Sequence, residues 1–217
     1  MTGFTTPYSI LPPVIKGLLL ANGVVFFLEM SMGNQLISSF ALWPMDSSSL
    51  SLMRSMEPHF QPFQLLTYAF LHGNLMHLLF NMYALWLFGS RLENTWGSKR
   101  FSIYYFICVV GAGLVQLLVS TLSVRHGGGY YPTIGASGGV FGLLLAFGMI
   151  FPNEILILVF PPVALKAKWF VLIYGVIELW AGVTGTAAGV AHFAHLGGML
   201  FGYLLLVYWR VLRWSSH

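Results

Sequence analysis

Charge is what this sequence has least of. Charged residues make up 7% of its 217, where an ordinary soluble domain carries roughly 25%. A water-facing surface cannot be covered with so few, so water is not the main solvent. The 57% hydrophobic content excludes intrinsic disorder, which needs low hydrophobicity and high charge. Acidic residues are scarcer than basic ones, six against ten, for a net charge of +4. The basic excess forms no stripe and is scattered singly between apolar runs, which sets nucleic-acid binding aside. Cys108 is the single cysteine, lying in an apolar run, so an intrachain disulfide is impossible and the redox compartment is not legible. Asp46 is the single aspartate. Internal repeats and low-complexity segments are missing as well. Long apolar runs fill the chain instead, and they mark an integral membrane protein.

A helix needs about 20 mostly apolar residues to cross the hydrocarbon core. Six segments qualify, at 13–32, 70–92, 101–121, 134–151, 169–183 and 191–211. The fifth is the shortest. The first has a long apolar stretch with no A-x-A site after it, so it reads as a span and not as a cleavable signal peptide. Gly127-Gly128-Gly129, Phe151-Pro152-Asn153 and Pro161-Pro162 punctuate the later spans. The expected fold is all-α: a polytopic bundle of six transmembrane helices, one membrane domain over 1–217.

With the N-terminus inside, Lys16, Arg91, Lys99, Arg100, Lys166, Lys168, Arg210 and Arg213 fall on the cytoplasmic side and only Arg54 and Arg125 fall outside. That asymmetry follows the positive-inside rule, and inverting the topology would reverse it. Both termini are therefore expected in the cytoplasm. The outer loop at 33–64 mixes Trp43, Pro44, Ser47, Ser48, Ser49, Met53, Met56, Pro58 and Phe60. It is too polar to span and too apolar to float free, so an interfacial segment on the outer leaflet is expected, with a plain extracellular loop as the alternative.

Polar side chains inside a bilayer are costly, and each is a candidate functional residue. His72, His77 and Asn81 open the second span, Ser137 the fourth, and His192 and His195 the sixth. All three spans start at the outer face, so these groups converge on one shallow layer. Ser137 would lie on the order of 5 Å deep at about 1.5 Å per residue. His77 and Asn81 share a helix face at i,i+4, and the same spacing sets Phe141 one turn below Ser137. Gly138 and Gly142, with Gly198 and Gly202, form small-xxx-small stripes of the kind that pack transmembrane helices closely. Spans four and six are expected to meet face to face, with Ser137 and His195 at their shared upper end.

A serine becomes a nucleophile when a histidine takes its proton. The usual third member is an acid that orients the histidine. Asp46 lies in the outer loop, and neither Glu29 nor Glu178 pairs evidently with His195, so a Ser137–His195 dyad is expected, with the Phe141 ring orienting the base. Attack on an amide also needs donors for the oxyanion, worth about 3–4 kcal/mol each when well placed. His77, Asn81 and the Ser137 amide supply them. Each residue also has a plainer reading. Intramembrane serines commonly bond the preceding helical turn, and His72 and His192 read equally well as polar links between helices. Glycine stripes are packing, and Glu178 reads as paired or neutral within the bundle.

The run from His72 through His77 to Asn81, the Gly135-Ala136-Ser137-Gly138 segment, and His195-Leu196-Gly197-Gly198 with Gly202 together resemble the rhomboid family of intramembrane serine proteases. Order, spacing and span layout match over nearly the whole chain from about Lys16. The resemblance implies Ser137 as nucleophile, His195 as general base, and His77 and Asn81 as oxyanion donors. It implies transmembrane proteins as substrates, cut near the outer end of a span within the lipid bilayer, with no cofactor and no metal. The minimal six-span form points to a bacterial inner membrane. Two departures stand out: Phe63-Gln64 replaces the family's Trp-Arg in the first loop, and Phe141 replaces its tyrosine. Two other classes stay open. One is a non-catalytic relative that only binds membrane proteins; it would be expected to lack the serine or the histidine. The other is a metal or haem protein using His72, His77, His192 and His195.

Overall fold

The computed structural model describes residues 8–45, 58–157, 163–185 and 191–214, and side chains as far as 209. Asp46, Ser47, Ser48, Ser49, Met53, Arg54, Met56 and the Pro161-Pro162 break lie outside the described residues, as do the side chains of Arg210 and Arg213. The chain forms a helical bundle: α1 (Pro13–Phe40), a short α2 (Gln64–Thr67) continued by a 3-10 turn, α3 (Leu75–Trp96), α4 (Ser98–Arg125), α5 (Ser137–Ile150), α6 (Ala167–Thr184) and α7 (His192–Trp214). Three of these, α1, α4 and α6, are long and apolar enough to cross a membrane, and α5 is a shorter apolar helix. α3 and α7 carry the polar residues that the apolar-run reading accepted within spans.

Two differences from the sequence reading have local causes. α1 runs to Phe40 because Gly33 and Asn34 sit among good helix formers with no proline to stop it. The expected interfacial loop at 33–64 is therefore helical over its first quarter. Between α5 and α6, an antiparallel ribbon of β1 (Ile155–Ile157) and β2 (Ala164–Lys166) pairs Leu156 with Leu165. Apolar runs this short do not distinguish strand from helix end.

Polar contacts define the two ends of the bundle. At one, the buried Glu93 carboxylate accepts the Val14 and Ile15 N–H groups, each at 3.0 Å, and the Ser98 hydroxyl at 2.6 Å. It thereby serves the first turn of α1, whose own N-cap is Pro12, and a carboxylate there also complements the helix dipole. Arg91 pairs with Glu154 at 3.4 Å, tying the end of α3 to the ribbon. At the other end, Leu42 and Thr133 exchange backbone hydrogen bonds at 3.0 and 2.9 Å, and Trp43 stacks on Tyr130 with centroids 5.5 Å apart. Gln64 is buried there. Its Oε1 accepts the Trp43 and Gln61 N–H groups at 3.3 and 3.2 Å, and its Nε2 donates to the Ser39 carbonyl at 3.1 Å. Phe63, by contrast, is half exposed and meets Phe40 edge-on. The glutamine anchors the first loop through its amide, and the phenylalanine stays at the exposed surface.

The centre is a dry layer of Phe101, Tyr104, Tyr105, Cys108 and Val109 from α4 against Val140, Leu143 and Leu144 from α5. Lipid is as apolar as leucine, so close packing and interhelical hydrogen bonds hold these helices together. Tyr68 donates to the Val109 carbonyl at 2.8 Å and Tyr104 to the Gly142 carbonyl at 2.9 Å. α5 and α7 touch backbone to backbone: a Cβ at Gly198 would collide with the Gly138 carbonyl oxygen. That closeness sets the top of α7 against the first turn of α5.

Candidate active site

Ser137 is the first residue of α5, and His195 lies in the first turn of α7. The segment leading into Ser137 is held from both sides. Thr133 is fastened to Leu42, and Gly135 donates its N–H to the Tyr68 carbonyl at 2.9 Å. Gly135 adopts φ +122, open to glycine and strained for other residues. This turn leaves the Ser137 hydroxyl half-buried and aimed at α7. His195 Nε2 lies 2.8 Å from Ser137 Oγ, hydrogen-bond distance for a base that takes the hydroxyl proton.

The His195 ring has two further neighbours. Phe141 stacks on it with centroids 4.2 Å apart and planes within 6°. At the far nitrogen, Nδ1 lies 2.8 Å from Glu178 Oε2. That contact corrects the sequence reading, which found no carboxylate paired with His195 and expected a dyad oriented by the Phe141 ring alone. Glu178 is on α6, six residues before its last residue Thr184, and His195 is three residues after the start of α7 at His192. Antiparallel neighbours with a short connection bring such positions to similar heights. The spacing was therefore present in the sequence, but the rotation of α6 was not. His192 Nδ1 lies 2.7 Å from the same Oε2, so His192 joins the cluster through the carboxylate.

The α3 residues approach from the opposite side. His77 is half-buried, and its N–H is capped by Asn74 Oδ1 at 2.8 Å. A Cβ at Gly135 would lie 2.8 Å from the His77 ring and 3.8 Å from Ser137 Oγ; the imidazole and the hydroxyl thus border one small space. Asn81 is buried, and its Nδ2 donates to the His77 carbonyl at 2.8 Å. One of its amide hydrogens is thereby committed to its own helix. His72 is placed differently. Its N–H donates to the Glu29 carboxylate at 3.1–3.2 Å, its ring meets His77 edge-on at 5.0 Å, and its Nε2 is buried without a hydrogen-bond partner among the described residues.

Among the described residues, the group of side chains arranged to hold a metal ion is Glu178, His192 and His195, with ligand atoms within 4.8 Å of one another. His72 and His77 are outside it, so the histidines do not assemble as one four-ligand set. Both Nδ1 atoms of the cluster sit at hydrogen-bond distance from one carboxylate oxygen, Glu178 Oε2.

Comparison with known proteins identifies the family. The family model described as Rhomboid domain matches residues 59–211. The mouse (Mus musculus) protein named presenilin-associated rhomboid-like protein, mitochondrial, is 31% identical over 211 residues, covering 93% of this chain and 50% of that protein. Rhomboid protein 1, mitochondrial, of Saccharomyces cerevisiae is 34% identical over 137 residues, 63% of this chain and 38% of the relative. RHOMBOID-like protein 4 of Arabidopsis thaliana is 34% identical over 142 residues, 65% and 32% respectively. The chain thus spans about half the length of the mouse relative, or less of the others. The first two relatives carry mitochondrial names, so the expectation of a bacterial inner membrane finds no support among them. With apolar helices, a helical bundle and this match over most of its length, the chain is an integral membrane protein that belongs to the rhomboid family.

Proposed function

We propose that this protein is an intramembrane serine endopeptidase that hydrolyses a peptide bond of a transmembrane protein near the membrane face where α5 and α7 begin. The observation that carries the reading is the 2.8 Å separation of His195 Nε2 and Ser137 Oγ. In the reaction, Ser137 Oγ attacks the scissile carbonyl carbon while His195 Nε2 takes the hydroxyl proton. The proton then passes to the leaving amine as the C–N bond breaks, and an acyl-enzyme ester remains on Ser137. Water, deprotonated by the same nitrogen, attacks the ester and releases the acid.

The oxyanion formed in each half-reaction needs donors already in place. The first N–H groups of a helix have no intrahelical acceptor, and the helix dipole favours negative charge there; Ser137 occupies that position in α5. The His77 imidazole and the remaining Asn81 N–H are the side-chain donors. In this reading the chain has six spans with its cation-rich end in the cytoplasm, and the site lies in the outer leaflet, where hydrolysis requires access for water. The substrate enters as another transmembrane segment, from the lipid.

The test is cleavage of a tagged transmembrane substrate and labelling by a fluorophosphonate probe, comparing wild type with Ser137→Ala. Wild type should cleave and be labelled, and the variant should do neither while keeping its thermal unfolding temperature. Robust cleavage by purified Ser137→Ala would overturn the mechanism.

A further inference from the structure

We infer that Glu178 is a positioning residue for the proposed base, and that His192 steadies it. The inference rests on the protease reading and adds the third member that the sequence did not offer. Glu178 is buried on α6, although its neighbours Val176, Leu179 and Trp180 are exposed on the lipid-facing side of the same helix. A carboxylate turned inward from an apolar span is costly unless strong partners meet it. Here both partners are histidines bonded to a single oxygen, at 2.7 and 2.8 Å.

The geometry assigns a proton. A carboxylate oxygen only accepts, so the atom facing it on each ring is Nδ1–H. His195 is thereby held in the tautomer whose Nε2 carries a lone pair, and that nitrogen is the one 2.8 Å from Ser137 Oγ. The stack on Phe141, within 6° of parallel, fixes the plane of the ring but is indifferent to the half-turn flip about Cβ–Cγ that keeps the same plane. The bond to Glu178 removes this second freedom. When Ser137 gives up its proton, the new positive charge on the imidazole lies against a negative carboxylate. His192 Nδ1–H, bonded to the same Oε2, holds the carboxylate in place from the other side.

Glu178→Gln keeps the shape of the side chain and removes its charge. An amide presents N–H as well as C=O, and one that donates to His195 Nδ1 would trap the wrong tautomer. The expected result is a fall in kcat of about a hundredfold or more with KM changed less than about threefold, because Glu178 contacts the base and not the substrate, and its charge counts most when the imidazole becomes positive. Fluorophosphonate labelling of Ser137 should slow in parallel. Glu178→Asp retains the charge on a shorter stem and should recover at least about tenfold of the loss. His192→Ala should cost less than about tenfold, since His195 keeps its carboxylate. Should Glu178→Gln not fold, Glu178→Asp carries the test alone: kcat below wild type with unchanged KM is expected, and full wild-type kcat overturns the role.

Three other results would also overturn it: a Glu178→Gln enzyme within about threefold of wild type, a His192→Ala loss as large as that of Glu178→Gln, or wild-type activity abolished by a chelator and restored by Zn²⁺. The second would mean that the carboxylate serves His192, and the third that the cluster is a metal site. The protease reading fails separately, and the Glu178 role with it, if wild type shows no Ser137-dependent labelling at all.

Discussion

Replacing Gly135 with alanine should injure catalysis through a residue that carries no functional group. Two costs act together. Residue 135 holds φ +122, which side chains rarely adopt, and holding a non-glycine residue in such a region costs of order 1–3 kcal/mol. The added Cβ would also lie 2.8 Å from the His77 ring, where ordinary contact begins near 3.4 Å. The imidazole must give way by several tenths of an ångström, in a space that the Ser137 hydroxyl also borders, 3.8 Å from the same Cβ. An oxyanion donor works only within about 2.7–3.1 Å of the developing charge, and its loss costs roughly 10²–10³ in kcat. Gly135→Ala should therefore lower kcat by about ten- to a thousandfold, with KM little changed and thermal stability reduced by the strain alone. Steady-state cleavage of a transmembrane substrate, read beside thermal unfolding, separates the two effects. The double variant Gly135→Ala, His77→Ala should be no slower than His77→Ala alone, because both act on one donor. A multiplicative loss in the double variant, or wild-type kcat in folded Gly135→Ala, would refute the idea that this glycine makes room for His77.

His77→Ala and Asn81→Ala should each reduce kcat more than they raise KM, by roughly ten- to a thousandfold, as interactions made only in the transition state do. Asn81 should be the milder, since one of its N–H bonds goes to the His77 carbonyl; steady-state kinetics in detergent decide it, and a pure KM effect would reassign both residues to substrate binding. His195→Ala should match Ser137→Ala in cleavage assays, with the double variant little worse, since residues acting as a unit lose activity together. Topology is open to labelling because Cys108 is the single cysteine and is buried. His126→Cys should react with an impermeant reagent from the non-cytoplasmic side and Lys99→Cys only from the cytoplasmic side; the reverse pattern would move the site to the wrong leaflet.

The membrane character and the approximate positions of the helices were readable without coordinates because both are local properties. An apolar run of sufficient length has one satisfactory environment. The ends drifted, as for α1 beyond residue 32, because the bilayer rewards apolar length while only caps and breakers fix a terminus. Counting residues from the start of each span also leads to the expectation that Ser137, His195, His77 and Asn81 share one layer. Which of those groups touch was decided by rotation and tilt, and these belong to the packed bundle. The close approach at Gly138 and Gly198 brings α7 near enough for the 2.8 Å contact with Ser137, and the glycine stripes announced such an approach in advance. Glu178 shows where sequence reasoning stopped. A single acidic residue in an apolar span says that a partner exists and not which one, since each face of a transmembrane helix meets a different neighbour. Only the rotation of α6, set by the packing of Phe170, Val171 and Ala181 into the bundle, turns that carboxylate toward His192 and His195 and away from lipid.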